Sequence, residues 1–197
     1  RILERGHPWV VRDSETGSVD GLSPGGLVRL VPPGGGDAGL ARVDPGGEVV
    51  ARRWCSAGQA ETSVGARVAA ALARRDAALD AGLRRDGSLR WIHGEADALP
   101  GLACERHGAA LRLLVTARTA EGFRDEALAA LTAAAGPDVP IVEVLHLRDP
   151  FPGRVERVRL LSGRAGLAAA ERESEEALAR AGIAEAERAP LTGPGRI

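Results

Sequence analysis

The chain has 197 residues and a formal net charge of −1, with 26 basic and 27 acidic residues, and 44% of it is apolar. This length suffices for one large domain or two small ones. No apolar run approaches the roughly 18 residues of a membrane-spanning helix. No charged-then-apolar leader is present, and we therefore expect a cytoplasmic protein. Every basic residue is Arg, but the balanced charge does not by itself predict binding to nucleic acid.

The first 61 residues show the pattern of an all-β domain. Apolar and polar residues alternate in three short segments, and turns rich in Gly and Pro separate them. The segments are residues 26–31, 39–43 and 48–54, and the turns are residues 32–36 and 44–47. Short strands punctuated in this way predict a small β-barrel.

The pattern then changes to a helical period over residues 63–85. Ser63 is placed to cap this helix and Gly87 to end it. The apolar side chains that share one face are Val64, Val68, Leu72, Leu79 and Leu83. Three arginines fall largely outside that face, which predicts a solvated surface, with phosphate contact as the alternative: Arg67, Arg74 and Arg75. Residues 62–87 are therefore predicted to connect two modules.

Residues 88–165 predict a second module of mixed composition. His107-Gly108 marks a hairpin turn. A helix is expected over residues 121–135, with Thr119 as its cap, Gly136-Pro137 as its end, and Phe123, Leu128 and Leu131 facing inward. The expected strands are residues 89–92, 102–106, 110–116, 141–147 and 154–161. The order is β-β-β-α-β-β, and the predicted fold class of the whole chain is α+β.

No constellation of catalytic residues is evident in the sequence. Gly34-Gly35-Gly36 lies between two strands and not at a strand-to-helix turn, so it does not predict a phosphate site. The four histidines, His7, His93, His107 and His146, are too dispersed to predict a metal site. Cys55 and Cys104 are expected to be reduced and buried. Glu95 and Asp97 form an acidic pair, for which hydrogen bonding within a loop is favoured over acid–base or metal chemistry.

Two strings are more specific than these patterns. The first is Arg5-Gly6-His7-Pro8-Trp9-Val10, followed by Pro24-Gly25-Gly26-Leu27-Val28. The second is His93-Gly94-Glu95-Ala96-Asp97-Ala98-Leu99-Pro100-Gly101-Leu102, which ends in Glu105-Arg106-His107-Gly108. Together they resemble the N-terminal half of the bacterial 23S ribosomal RNA cytosine-5 methyltransferase family. The resemblance implies a PUA domain, a central α+β domain, and then a Rossmann-type domain that binds S-adenosyl-L-methionine (SAM).

The resemblance covers roughly residues 1–135, and the chain departs from the family elsewhere. An aromatic-Asn-Pro string of the family is replaced by Val43-Asp44-Pro45, and a later acidic-Arg-Ser-Asp string by residues 143–149. A charged helix over residues 166–181 and a linker over 190–195 are expected to lead toward an absent catalytic domain. Neither cysteine matches the family's nucleophile, so the resemblance implies no catalytic residue and no cofactor within this chain, and SAM only for a full-length member.

The predicted domains are a PUA-like barrel over residues 1–61, the connecting helix, the central domain over 88–165, and the tail over 166–197. A PUA barrel would bind structured RNA, such as ribosomal RNA, through phosphate contacts and shape. The residues expected to make those contacts are Arg5, Arg12, Arg29, Arg42, Arg52 and Arg53. The structural motif comprises His7, Pro8, Trp9, Gly94, Glu95, Asp97, Pro100 and Gly101. We expect the Trp9 ring to be buried, and Glu95 and Asp97 to orient their loop against the catalytic domain.

Two other functions remain open at this point. The chain could be a stand-alone PUA-type RNA-binding protein without catalysis, an interpretation that a stop codon after Ile197 would favour. It could also be a homodimerisation or docking module, because residues 110–116 and 141–147 could expose an apolar sheet face or edge.

Overall fold

The computed structural model describes residues 7–14, 16–45, 47–78, 88–145 and 157–163. Arg5, His146, the predicted helix over 166–181 and the linker over 190–195 lie outside these residues. The strands are β1 (Trp9–Val11), β2 (Leu27–Arg29), β3 (Leu40–Val43), β4 (Val49–Cys55), β5 (Ser88–His93), β6 (Leu102–His107), β7 (Ala110–Val115), β8 (Ile141–Leu145) and β9 (Arg157–Ser162). The α-helices are α1 (Val64–Ala78) and α2 (Arg124–Ala135), and short 3-10 helices cover Gly94–Asp97 and Arg118–Gly122.

The first four strands form an antiparallel sheet in the order β1-β4-β3-β2, which we call the N-terminal sheet. The three predicted strands are present, and β1 is an additional one. The prediction of a barrel is not confirmed, because β1 and β2 are the two edges of the sheet and no ladder joins them within the described residues. Each edge strand is three residues long, which leaves little backbone with which to close a barrel.

The helix α1 follows the N-terminal sheet and packs its apolar face into the protein. Ser63 accepts a hydrogen bond from the backbone N–H of Ala66, as a capping residue does. Val64 and Val68 are buried and Leu72 is partly buried, as the period predicts, and Ala71 is buried beside them. The predicted positions Leu79, Leu83 and Gly87 lie outside the described residues. Arg67 corrects the expectation of a solvated surface, because its side chain is buried in the same core. Its flat guanidinium packs against the ring of Trp54, which a period of apolar residues does not reveal.

The remaining strands form the central sheet, in the order β5-β6-β7-β8-β9. All neighbours are antiparallel except β7 and β8, which are parallel and joined through α2. The predicted order β-β-β-α-β-β is present. The predicted hairpin turn is there too, with His107 opposite Ala110 and Gly108 at a φ of 57°. The chain is thus an α+β protein, as expected, with two sheets.

The start of α2 differs from the prediction. The helix begins at Arg124, and Thr119 lies in the preceding 3-10 helix, where it is fully buried. Its hydroxyl faces the backbone carbonyl groups of Arg42 and Val43, at 3.5 Å from each oxygen, so it contacts the N-terminal sheet and does not cap the helix. The end of the helix is as predicted, since the N–H of Gly136 bonds the carbonyl of Thr132. No helix in the described ranges is long and apolar enough to cross a membrane.

Candidate functional site

The two motif strings meet in space at the junction between the N-terminal sheet and the segment Gly94–Gly101, which we call the junction loop. The carboxylate of Glu95 accepts hydrogen bonds from the Trp9 indole N–H at 3.1 Å and from Arg52 at 2.5 Å. Arg52 also pairs with Asp44 at 2.7 Å. A contact between residues 9 and 95 joins the first string to the second, so the strings form a single site.

The junction loop owes its shape to three residues with positive φ. Gly94 has a φ of 52°, Ala98 of 56° and Gly101 of 75°. A Cβ on Gly101 would lie 2.7 Å from the Cβ of Ala117, so the loop needs glycine there for space as well as for its backbone angle. Leu99 and Pro100 are buried beside it and anchor the loop to the core.

The two acidic residues of the loop point to different partners. Asp97 is buried and accepts hydrogen bonds from Arg74 at 2.5 Å, from Arg75 at 2.7 Å and from the backbone N–H of His93 at 2.6 Å. Burial alone would raise the pKa of Asp97, but these donors outweigh it and hold the pKa below its usual value. Asp97 therefore fastens the loop to α1.

Glu95 fastens the same loop to the N-terminal sheet. Burial opposes its ionisation, yet the hydrogen bonds from Trp9 and Arg52 hold the pKa of Glu95 below its usual value. Hydrogen bonding within a loop is the interpretation favoured for the acidic pair; both carboxylates do accept hydrogen bonds, but their side-chain donors lie outside the loop, on α1 and the N-terminal sheet. Both carboxylates already have partners within this chain, and their expected contact with a catalytic domain stays a prediction.

A second contact across the junction is made by two glycines. The backbones at Gly25 and Gly122 approach so closely that a Cβ on Gly122 would lie 2.2 Å from the carbonyl oxygen of Gly25. Arg42 bridges them by donating to both carbonyl groups, at 2.9 Å and 3.3 Å. Gly25 belongs to the first motif string, so this contact gives that glycine a structural role.

Trp54 lies between two guanidinium groups at the centre of the junction. Arg42 lies 4.1 Å and Arg67 3.7 Å from the ring centroid, and the ring itself is buried. Arg67 donates to the backbone carbonyl groups of Trp54, Thr62 and Ala98. Burial lowers the pKa of both arginines from the ordinary value, although both stay charged at neutral pH. Such cation–π contacts contribute about 2 kcal/mol or more when desolvated.

The predicted RNA-contacting arginines separate into two groups. Arg42 and Arg52 are held in the junction, and Arg53 donates to the carbonyl groups of His7 and Ala38. Arg12 and Arg29 are exposed, and Arg29 also pairs with Asp37 at 3.0 Å. Two of the five described arginines are therefore open to solvent.

Trp9 corrects another expectation, because its side chain is not buried and is 41% exposed. It lies on β1, which among the described strands has a neighbour on one side only. Pro8 enters this strand, and its carbonyl accepts a hydrogen bond from the N–H of Arg53. The barrel core that was expected to enclose the ring is an open sheet in the described residues.

Beside the junction runs a groove of about 460 Å³ between β4, α1 and the junction loop, and it is lined by Cys55, Arg67, Arg74 and small residues.

Burial raises the pKa of Cys104 to about 12, so that thiol is inert at neutral pH, as expected for a buried cysteine. The described part of the chain holds no group of three or more His, Cys, Asp or Glu side chains that could bind a metal ion. The site can position and bind, and its residues show no nucleophile–base pair.

The sequence did not indicate Arg67, Trp54 or Gly122 as junction residues. Arg67 interrupts an apolar helical face, which is the one local signal that could have suggested a packed guanidinium. Gly122 carries no local signal, because its constraint comes from a residue 97 positions earlier in the chain.

No family model matches the sequence, and no curated protein matches it. Solved structures do match. One is a candidate SAM-dependent methyltransferase from Streptococcus mutans, with a TM-score of 0.63 and 17% identity, covering 82% of this chain and 40% of that chain. Another is SMU.776, a candidate methyltransferase in complex with SAH, with a TM-score of 0.63, 17% identity, and coverage of 83% and 40%. At this identity the likeness establishes a shared fold, and the chain spans about two fifths of the length of those chains.

Proposed function

We propose that this chain is the RNA-recognition portion of a SAM-dependent ribosomal RNA cytosine-5 methyltransferase. The observation that carries the proposal is the joining of the two motif strings at one junction, in a fold shared with methyltransferase chains over more than four fifths of this chain. The N-terminal sheet, with its PUA-like strings, would contact the RNA. The central sheet would hold it at a fixed angle to the catalytic part of a longer protein.

The described residues do not fit SAM itself. A class I site needs a glycine-rich turn from a strand into a helix, where backbone N–H groups meet the ligand. Residues 56–63 connect β4 to α1 with one glycine, and residues 116–123 connect β7 to α2 with one glycine. In this proposal SAM therefore belongs to another part of the full-length protein, and no chemical step is assigned to this chain.

Salt-dependent RNA binding tests the proposal. We expect the purified chain to bind a structured ribosomal RNA fragment, with an affinity that falls as salt rises because phosphate contacts release counterions. Replacing Arg12 and Arg29 by Ala should weaken binding and reduce the salt slope by roughly one for each phosphate that is no longer neutralised. An affinity that does not respond to salt, or a chain that does not bind RNA, would contradict the proposal.

A matched control comes from the central sheet. Arg90 lies on the central sheet, outside the proposed RNA surface, and like Arg29 it is exposed and pairs with one neighbouring carboxylate, here Glu105. Arg90→Ala should therefore leave both RNA affinity and salt slope unchanged. Equal losses from Arg90→Ala and from the pair of N-terminal substitutions would place the RNA on no particular surface and would overturn the assignment to the N-terminal sheet.

A further inference from the structure

Trp9 differs from the two other tryptophans of the chain. Trp54 and Trp91 are 3% and 9% exposed, whereas Trp9 is 41% exposed. An indole buries more apolar area than most side chains can, and leaving it open forgoes that stabilisation. A large aromatic ring kept at the surface is typical of a binding contact.

The ring of Trp9 is nevertheless fixed in place. Its indole N–H donates to Glu95 at 3.1 Å, and the guanidinium of Arg52 lies 5.5 Å from the ring centroid. Its backbone N–H donates to the Nδ1 of His7, whose ring lies 6.0 Å away with the ring planes at 82°. An exposed ring held by a hydrogen bond loses little conformational entropy when a ligand packs against it.

We propose that Trp9 is a stacking site for an unpaired RNA base, an inference that rests on the proposed function. Base–aromatic stacking accepts any base, because each has a π-face, and a guanidinium beside the ring adds a cation–π contribution. Arg12 is exposed three residues further along the chain, roughly 10 Å away at the rise of a strand. The strand register shifts between Val10 and Val11, which interrupts the regular alternation of faces, and in this proposal Arg12 contacts the backbone phosphates of the same RNA. Stacking on Trp9 with a phosphate contact at Arg12 fits single-stranded RNA.

The test measures the affinity of the whole chain for a single-stranded RNA and for a duplex of the same length. Trp9→Leu and Trp9→Phe both remove the hydrogen bond to Glu95, but Trp9→Phe keeps an aromatic ring. We expect Trp9→Leu to weaken binding to the single strand on the order of tenfold and Trp9→Phe to weaken it much less. The affinity for the duplex should change little, because paired bases are not open to stacking.

Leu27 provides the matched control, because it is also 41% exposed and lies on the opposite edge strand of the same sheet. Leu27→Ala should bind both RNAs as the unmodified chain does. The salt slope should stay the same in Trp9→Leu, since stacking displaces no counterions, whereas Arg12→Ala should lower it. Tryptophan fluorescence should be quenched by the single strand, and the quenching should be absent in Trp9→Phe, because Trp54 and Trp91 are buried.

Different failures have different meanings. If the unmodified chain binds RNA in a salt-dependent way and Trp9→Leu binds equally well, the stacking site is wrong and the proposed function stands. If the unmodified chain binds no RNA, both the stacking site and the proposed function are wrong. If sedimentation shows that Trp9→Leu abolishes a concentration-dependent dimer, the ring is a contact between copies of this chain, and the stacking site is likewise overturned.

Discussion

The two sheets are stabilised in different ways. The buried cluster of the N-terminal sheet consists of Leu30 and three alanines, with Val10 and Val28 packed against it. The central sheet, together with α1 and α2, buries a much larger cluster that includes Ile92, Leu113 and Phe123. Trp54 comes from the N-terminal sheet, yet it belongs to the larger cluster. The central region thus has a core of its own, and the N-terminal sheet packs its largest buried residue, Trp54, into that core.

Because the two cores differ in size, the contacts at the junction stabilise the N-terminal sheet as well as joining it to the central sheet. Each buried CH₂ group contributes about 0.8 kcal/mol, and apart from Trp54 the largest buried side chains of this region are Leu30, Val43 and Val50, so its own core stabilises it weakly. A region of some 55 residues is in any case marginal on its own. The contacts of Trp54, Arg42 and Glu95 therefore contribute much of the stability of the N-terminal sheet. They also fix the angle of this sheet to the central sheet. An RNA surface on that sheet would be oriented by the same contacts.

The largest expected loss of stability comes from replacing Asp97, which lies in the junction loop that contacts both regions. Asp97→Ala leaves Arg74, Arg75 and the N–H of His93 without their acceptor. Arg74 is 54% and Arg75 20% exposed, so this loss leaves no fully buried charge and costs about 2–3 kcal/mol, less than the loss of one partner from a fully buried ion pair. The free energy of unfolding, measured in urea, should fall by about this amount, and both regions should lose stability together.

The control for this prediction is another aspartate paired with an arginine. Asp125 is 83% exposed and pairs with Arg124 at 2.7 Å. Asp125→Ala should change the free energy of unfolding by less than about 1 kcal/mol, because exposed ion pairs contribute little. Comparable losses in the free energy of unfolding from Asp97→Ala and Asp125→Ala would contradict the prediction that the junction loop stabilises the protein more than an exposed ion pair does.

The next largest expected loss of stability should affect the N-terminal sheet more than the central sheet. In Gly122→Ala the added Cβ would lie 2.2 Å from the carbonyl oxygen of Gly25, and backbone must shift to admit it. Overpacking of this kind costs about 1–3 kcal/mol. Hydrogen exchange should show the loss concentrated in β1–β4, while β6 and β7 keep their protection.

Gly65 in α1 supplies the matched control for the added methyl group. A Cβ at that position meets no atom within 4 Å. Gly65→Ala should stabilise the protein by about 0.5–1 kcal/mol, because alanine is the better helix former. If Gly122→Ala weakened the protection of both sheets equally, the regions would unfold as one unit and the contrast between them would fail.

A smaller effect is confined to the central sheet. Glu105 on β6 accepts hydrogen bonds from Arg90 and Arg112 on the neighbouring strands. Burial would raise its pKa, but these arginines lower the pKa of Glu105 to about 2. A carboxyl whose pKa is lower in the folded state contributes stability above its ordinary pKa of 4.5 and loses it as pH falls toward 2. With both arginines half exposed, the contribution is about 1–2 kcal/mol after solvent screening.

The measurement is the free energy of unfolding between pH 7 and pH 2, for the unmodified chain and for Glu105→Gln. The variant should be less stable at pH 7, and the difference should shrink as pH falls below about 4.5. Glu121→Gln is the control, because Glu121 is 43% exposed and pairs with Arg118 on the surface. A difference that stays constant down to pH 2 would rule out ionisation of Glu105 as its cause.

Much of the central region could be predicted from the sequence because its signals are local. The strands β5–β9 and the helix α2 follow from alternation, period and turn residues, and the predicted boundaries that fall within the described residues lie within three residues of the observed ones. The junction could not be predicted, because its contacts join distant residues. Trp9 was expected in a core that the open sheet does not provide. Arg67 was expected in solvent, although an aromatic ring and three carbonyl groups satisfy it inside the protein.

The last prediction uses the two cysteines, one in each region. Cys55 ends β4 and is partly buried, whereas Cys104 lies in β6 and is fully buried. Cys55 lines the groove beside the junction and can be reached without unfolding, whereas the buried Cys104 reacts only when its surroundings open. In native buffer Cys55 should react with a thiol reagent at least about tenfold faster than Cys104. Mass spectrometry of the labelled peptides gives the two rates separately.

Gly122→Ala makes this comparison sharper. If the junction contacts keep the N-terminal sheet packed against the central region, the variant should speed the labelling of Cys55 more than that of Cys104. Gly65→Ala should speed neither. Equal rates for both thiols in the unmodified chain would contradict the prediction, because the buried Cys104 would then be as accessible as the groove that Cys55 lines. A selective effect on Cys55 would locate the hinge between the sheets at the contact of Gly25 with Gly122.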